Sequence, residues 1–168
     1  MAAITIRPEV AYAKKVLSGE IIACKLIKQA AIRFLADLSR QDTPEFPYHF
    51  DTVRADHAIA FIEQLHHVEG PNASTIGGRD NKIKLELWQK FFVGNVFGWR
   101  RSDGTRRFRH VYLEVARKNA KTTLAAGIAN LIFWADRPED PGCQIYFGAT
   151  KQEQAAIAWR IARLQIEA

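Results

Sequence analysis

The sequence predicts an α/β protein in which a helical N-terminal region is followed by the start of a parallel sheet with flanking helices. Two observations carry this expectation. Apolar residues recur at helical spacing through the first part of the chain, and from Arg109 onward the order becomes strand, loop, helix, strand, helix. Strands that alternate with crossover helices pair in parallel, with the helices packed on the faces of the sheet.

In chain order, Pro8 can open a helix that runs to Leu17, and Ser18-Gly19 interrupts it. A second helix is expected from Glu20 to Leu38, with Ile27, Ala31, Phe34 and Leu38 on one face. The stretch "RQDTPEFPYHF", with Pro44 and Pro47, reads as a linker-like break, so residues 1–50 form a helical N-terminal segment. A third helix starts near Asp51, an N-cap residue type, with Ala58, Phe61, Leu65 and Val68 aligned and Gly70 as its stop. "GPNASTIGGRDNK" is a surface loop by composition, and "LELWQKFFVGNVFGW" is a short helix presenting Leu85, Trp88, Phe92 and Val96. Asp103-Gly104 within "GWRRSDGTRRFRHVYLEV" is the strongest hairpin signal in the chain.

The last third carries the α/β pattern. "HVYLEV" reads as a strand, and "TTLAAGIANLIFWA" as a helix with Leu124, Ile128, Leu131 and Ala135 aligned. "RPEDPG" is a turn and "CQIYFGA" a buried-type strand. Thr150 and Glu153 then make a capping box ahead of a helix bearing Ile157, Ile161 and Leu164.

Composition bounds the function classes. With 168 residues, 48% hydrophobic and 25% charged, the chain is long enough for one well-buried core and lies far from disordered or collagen-like signatures. Its net charge of +6 favours polyanionic partners, without deciding among them. Cys24 and Cys143 lack metal-ligand spacing and read as two buried, reduced thiols. No apolar run is long enough to span a bilayer and no leader pattern opens the chain, so the cytoplasm is expected and a membrane is not.

The chemistry-bearing stretch is "VARKNAKT", Val115 to Thr122. On the G-x-x-x-x-G-K-[ST] template of a phosphate loop, Lys121 and Thr122 take the lysine and hydroxyl positions, while Val115 and Ala120 stand where glycine is usual. A Lys-Thr pair at a plain helix start is the competing reading. A preceding strand and a following amphipathic helix favour the phosphate loop, because together they aim backbone N–H groups and a helix N-terminus at one anion. If residue 120 needs φ > 0, alanine there costs roughly 1 kcal/mol.

"YLEVARKNAKTTLAAGIANLIFWADRPEDPGCQIYFGATKQEQAAIAW", preceded by "ADHAIAFIEQLHHVEG" and "IKLELWQKFF", resembles the start of the ATPase domain of large terminase subunits of tailed phages and prophages. The likeness runs over residues 54–168 and rests on four features in order: an N-terminal helix, an L-x-x-W-Q segment with its hairpin, the R-K-N-x-K-[ST] loop, and "GATKQEQA". It implies a P-loop NTPase of the RecA/ASCE-like class, with residues 51–168 as the N-terminal part of the ATPase domain. That family usually has glycine where this chain has Ala120.

By the resemblance, Lys121 grips the β/γ-phosphates of ATP and Thr122 coordinates Mg²⁺. Arg117 stabilises γ-phosphate charge, and Arg117, Lys118, Asn119, Ala120, Lys121, Thr122 and Thr123 line the nucleotide. Gln89 in "LWQ" matches a glutamine that reads adenine; a plain helix glutamine is the alternative. Arg100, Arg101, Arg106, Arg107 and Arg109 offer contact with DNA phosphates or a neighbouring subunit, or a merely solvated face, and His66 and His67 are explained by helix-end carbonyls. The implied partners are double-stranded DNA, the portal protein, the small terminase subunit and further copies in a ring, a pentamer, in the host cytoplasm. In that family the complete protein hydrolyses ATP to package DNA and cleaves concatemers with a nuclease domain.

Four apolar residues followed by Asp-Glu, the acidic strand end such an ATPase also needs, do not occur between Lys121 and Ala168. The expectation is an amino-terminal fragment that binds ATP but does not turn it over, with an exposed sheet edge and an uncovered apolar face that favour oligomers or poor solubility. A basic DNA- or partner-binding module without nucleotide function is the alternative, and a helicase-like P-loop protein the third.

Overall fold

The computed structural model describes residues 6–73, 80–136 and 142–168. The middle of the "GPNASTIGGRDNK" loop and most of the "RPEDPG" turn lie outside the described residues. The chain forms two compact units, residues 1–59 with 85–111, and residues 60–84 with 112–168.

The first unit contains α1 (Pro8–Ser18), α2 (Lys25–Ser39), β1 (Tyr48–Phe50), the start of α3 (Thr52–Gln64), α4 (Leu87–Gly98) and β2 (Trp99–Arg101). α1 stops where expected because Gly19 takes φ +84°. The second helix begins at Lys25 rather than Glu20, since the chain first turns back and Ile21 N–H donates to Lys15 O. The supposed linker contains a strand: Tyr48, His49 and Phe50 pair antiparallel with Arg101, Arg100 and Trp99. Three residues just after a proline are too few for a period to show. Asp51 caps α3 through Oδ1, which accepts Arg54 N–H at 2.9 Å. That helix ends at Gln64, so Leu65, Val68 and Gly70 lie beyond it.

An aromatic core joins these elements. Phe34 lies edge-on to Phe50, Phe91 and Trp99, and all four are buried. α4 is buried nearly all round, so the residues expected to face the core, Leu85, Trp88, Phe92 and Val96, are only part of what packs there. Asp103-Gly104 does turn the hairpin: Gly104 has φ +78°, Arg101 N–H donates to Thr105 O, and Asp103 Oδ1 accepts Thr105 N–H at 2.8 Å.

Two carboxylates are buried in this unit. Asp37 accepts from Arg40 and from Arg107, each at 2.7 Å, and the Arg107 guanidinium also lies over the rings of Phe46 and Phe108. Arg100 is buried and donates to Phe97 O. Arg100 and Arg107 are therefore structural, which corrects their reading as a solvated or DNA-contacting cluster; Arg101 and Arg109 remain exposed. Glu9 is fully buried and paired with Arg7 at 3.1 Å, and burial raises its pKa above the ordinary 4.5.

A raised carboxyl pKa means that the native state holds the proton more tightly than the unfolded chain. The contribution of Glu9 is then fully present below pH 4.5 and lost as pH rises through its raised value. Urea-unfolding midpoints taken across that window should decline in the wild type more than in Glu9→Gln.

The second unit packs α5 (Lys121–Leu131) against α6 (Gln152–Glu167), with a π-helical turn at Ile132–Asp136 after α5. Ala126, Ile161 and Ala162 form one of its core clusters, against which Val68 and Phe147 pack, and Ile62, Leu65, Leu124 and Leu131 are buried in the same unit. Gly127 faces Ile62 so closely that a Cβ would lie 3.2 Å from it. Asn130 Nδ2 donates to Ala162 O at 2.9 Å, tying the two helices together. α6 starts at Gln152 with Lys151 as N-cap and no side-chain cap, so the expected Thr150/Glu153 box is replaced by a 3.4 Å contact from Thr150 to Gln154.

Among the described residues the only sheet is β1-β2. "HVYLEV" and "CQIYFGA" form no ladder, because neither has a paired neighbour. Their burial still alternates: Leu113 and Val115, and likewise Cys143, Ile145 and Phe147, are half-buried, whereas Tyr112, Glu114, Gln144 and Tyr146 are exposed. Cys24 is exposed and Cys143 half-buried, so neither thiol has the full burial expected of it; Cys24 sits at the N-cap of α2, where no element covers it.

Candidate functional site

The loop from Val115 to Lys121 joins one of these alternating segments to the first turn of α5. Two of its residues have left-handed backbones, Lys118 at φ +66° and Ala120 at φ +53°. Negative and positive φ thus alternate along the loop, a pattern that turns successive N–H groups toward one side.

Its carbonyls are occupied from within. Lys121 Nζ donates to Val115 O at 2.7 Å and to Ala116 O at 2.9 Å, and Asn119 Nδ2 donates to Ala116 O and Arg117 O, both at 3.2 Å. Arg117 and Lys118 form a hydrogen-bonded turn that aims Asn119 N–H at Ala116 O, and among the described residues the N–H groups of 117, 118, 120 and 121 make no backbone hydrogen bond. Acceptors are consumed and donors are left over at the N-terminus of a helix, where the helix dipole adds partial positive charge. Such a loop is chemically an anion acceptor.

Arg117, Lys118, Asn119, Ala120, Lys121 and Thr122 are all exposed, and Thr123 is half-buried. Three cationic side chains therefore reach solvent around the unpaired amides. Thr122 lies in the first turn of α5, the position from which a hydroxyl can meet a cation that bridges phosphates. Among the described residues no group of three His, Cys, Asp or Glu side chains is placed to hold a metal. Mg²⁺ would then be held through phosphate oxygens and the Thr122 hydroxyl, and the donor set fits a phosphate-bound ion better than a free one.

Ala120 carries a defined strain. Its φ of +53° is the conformation that glycine adopts freely and alanine resists. Ala120→Gly is expected to relieve about 1 kcal/mol and so raise phosphate affinity roughly fivefold if nucleotide binding selects this backbone. Isothermal titration with Mg-ATP reads the change. Equal affinities would show that the free and bound loops carry the same strain at residue 120.

Gln89 belongs to the first unit, whereas the loop belongs to the second. It is buried at position N3 of α4, where its Oε1 accepts Glu86 N–H at 2.8 Å while the Glu86 side chain accepts the Gln89 N–H. This reciprocal capping box went unread in "ELWQ" because the N-cap is glutamate rather than serine or threonine. His66 forms a bridge with Lys82, and His67 N–H donates to Asn81 O; burial lowers the pKa of the His67 imidazole.

A second concave feature lies in the same unit, an apolar cleft of about 340 Å³ lined by Phe133, Trp134, Ile145, Trp159 and Ile166 among others. No sequence signal marked it, because Phe133, Trp134, Trp159 and Ile166 lie off the aligned faces read for their helices. Among the described residues, no helix is long and apolar enough to cross a membrane.

Residues 87–167 match the family described as "Terminase large subunit, ATPase domain". Over 110 residues, 65% of its length, the chain is 36% identical to the "Terminase, large subunit" of Enterobacteria phage HK97. It spans about a fifth of that relative, 19% of its length. No solved structure matches the chain.

Proposed function

From the premise that residues 87–167 carry the ATPase-domain signature of terminase large subunits, we propose that the loop at 115–122 is the ATP site of a DNA-packaging motor. The observation that carries the reading is the loop's bonding: carbonyls taken by Lys121 and Asn119, amides of 117, 118, 120 and 121 without a backbone partner among the described residues, and two left-handed residues. Lys121 releases its carbonyls to grip the β/γ-phosphates, Lys118, Asn119, Ala120 and Thr123 cradle the chain of phosphates, and Thr122 holds Mg²⁺. Arg117, exposed on the loop, neutralises charge that develops on the γ-phosphate during transfer.

For Gln89 the adenine-reading role rests on the family resemblance alone, and its oxygen serves the α4 cap. Segments 110–115 and 143–149 belong in this proposal to a parallel sheet of the P-loop class; their alternating burial supports an extended backbone with one face covered, and the assignment to a parallel sheet rests on the family match. Residues 51–168 form the first part of the ATPase domain, with residues 1–50 as a helical segment ahead of it. The complete motor, a homo-oligomeric ring in the host cytoplasm, drives double-stranded DNA through the portal with the small terminase subunit as partner and cuts the concatemer by its nuclease.

This chain alone binds ATP without turning it over, because nothing between Lys121 and Ala168 supplies the acidic strand end that would orient the attacking water. Titration with Mg-ATP should give saturable binding, and a phosphate-release assay on the same sample should stay at background. Lys121-dependent turnover would sink the second statement. Absence of any saturable binding would leave a binding module without nucleotide function.

A further inference from the structure

We propose that the outer face of α2 docks an acidic amphipathic helix of a partner protein. The inner face of that helix buries Ala31, Phe34 and Asp37 in the first unit. Its outer face presents Lys25, Lys28, Gln29, Ile32 and Arg33, with Leu26 beside them and Ile22 just ahead. Three of the aliphatic groups are unusually open, Ile22 at 99%, Leu26 at 73% and Ile32 at 55%.

The charge on this face has one sign. Lys25 and Lys28 make no ion pair among the described residues, and Arg33 rests on the Phe108 ring at 5.5 Å. Asp37, the one carboxylate of α2, is buried and consumed by Arg40 and Arg107. A second copy of the same face would meet like charges, which disfavours self-pairing. A phosphate backbone would satisfy the cations but leave Leu26 and Ile32 in water. An amphipathic helix that brings leucine-type side chains to Leu26 and Ile32 and glutamates to Lys25, Lys28 and Arg33 satisfies both. One helix face buries an area at the low end of specific interfaces, so the association is weak and sensitive to salt.

The test uses the whole chain and a fluorescent synthetic helix of about 20 residues, long enough to fold on contact, with leucines on one face and glutamates flanking them. A scrambled peptide of equal composition is the control. Saturable anisotropy is expected for the patterned peptide, weakened roughly tenfold or more both by Lys25→Glu/Lys28→Glu and by Ile32→Ser. Both variants are at exposed positions and should keep the wild-type circular dichroism and melting point. Equal binding of the scrambled peptide, indifference to Ile32→Ser, or preferential binding of a DNA duplex or of anionic vesicles at physiological salt would overturn the proposal.

Discussion

Lys121→Ala is expected to lower Mg-ATP affinity by roughly 10- to 100-fold, the equivalent of one lost charge-assisted contact to phosphate. Lys121 also closes the loop, because its ammonium bridges Val115 O and Ala116 O. A fall in affinity alone would therefore not tell a lost phosphate contact from a disordered loop. Asn119→Ala separates them, since it removes two loop-closing bonds to Ala116 O and Arg117 O while leaving the lysine charge in place. The expected result is severe loss in Lys121→Ala and mild loss in Asn119→Ala, measured by titration calorimetry with thermal melts alongside. Equal losses in both would make the lysine a structural latch rather than a phosphate ligand.

Gly94→Ala is expected to destabilise the chain by about 3 kcal/mol, the upper part of the range for forcing an extra methyl into a packed core. A Cβ at residue 94 would collide with Glu9 Oε1 and lie 2.7 Å from its Cγ and 2.8 Å from its Cδ. Glu9 cannot swing aside at low cost, since it is fully buried and held by Arg7, which in turn binds Asp56. Urea denaturation followed by circular dichroism reads the loss. Adding Glu9→Ala should restore part of it, because the methyl then enters the space that the carboxylate left. Additive losses in the double variant would show that α1 and α4 are not limited by this contact.

Legibility differed sharply between the site and its surroundings. "ARKNAKT" could be read as a loop that opens a helix, and the structure starts α5 at Lys121. The expectation that Ala120 would need φ > 0 follows from the template, and Ala120 has φ +53°. Asp103-Gly104 and Asp51 were legible for the same reason: turn and cap chemistry is decided within a few residues. The strand at Tyr48–Phe50 was hidden, because its partner Trp99–Arg101 is some fifty positions away and three residues show no period. Glu86 and Gln89 were hidden too, since a carboxylate N-cap looks like any surface glutamate until its bonds are seen.

The sequence by itself determined the local devices: the N-cap at Asp51, the turn of the hairpin, and a lysine and a threonine at the opening of α5 that match the last two positions of a phosphate-loop template. These depend on backbone propensities and on side chains that reach only a few residues along the chain. Only the tertiary structure decided which charges are free. Arg100, Arg107, Asp37 and Glu9 look like solvated surface groups in the sequence, yet all but the half-buried Arg107 are buried, and Asp37 is held between Arg40 and Arg107. Lys25 and Lys28 look the same and remain exposed. The cost of burying a charge can be met only by partners that folding brings from distant parts of the chain, and no local pattern specifies them.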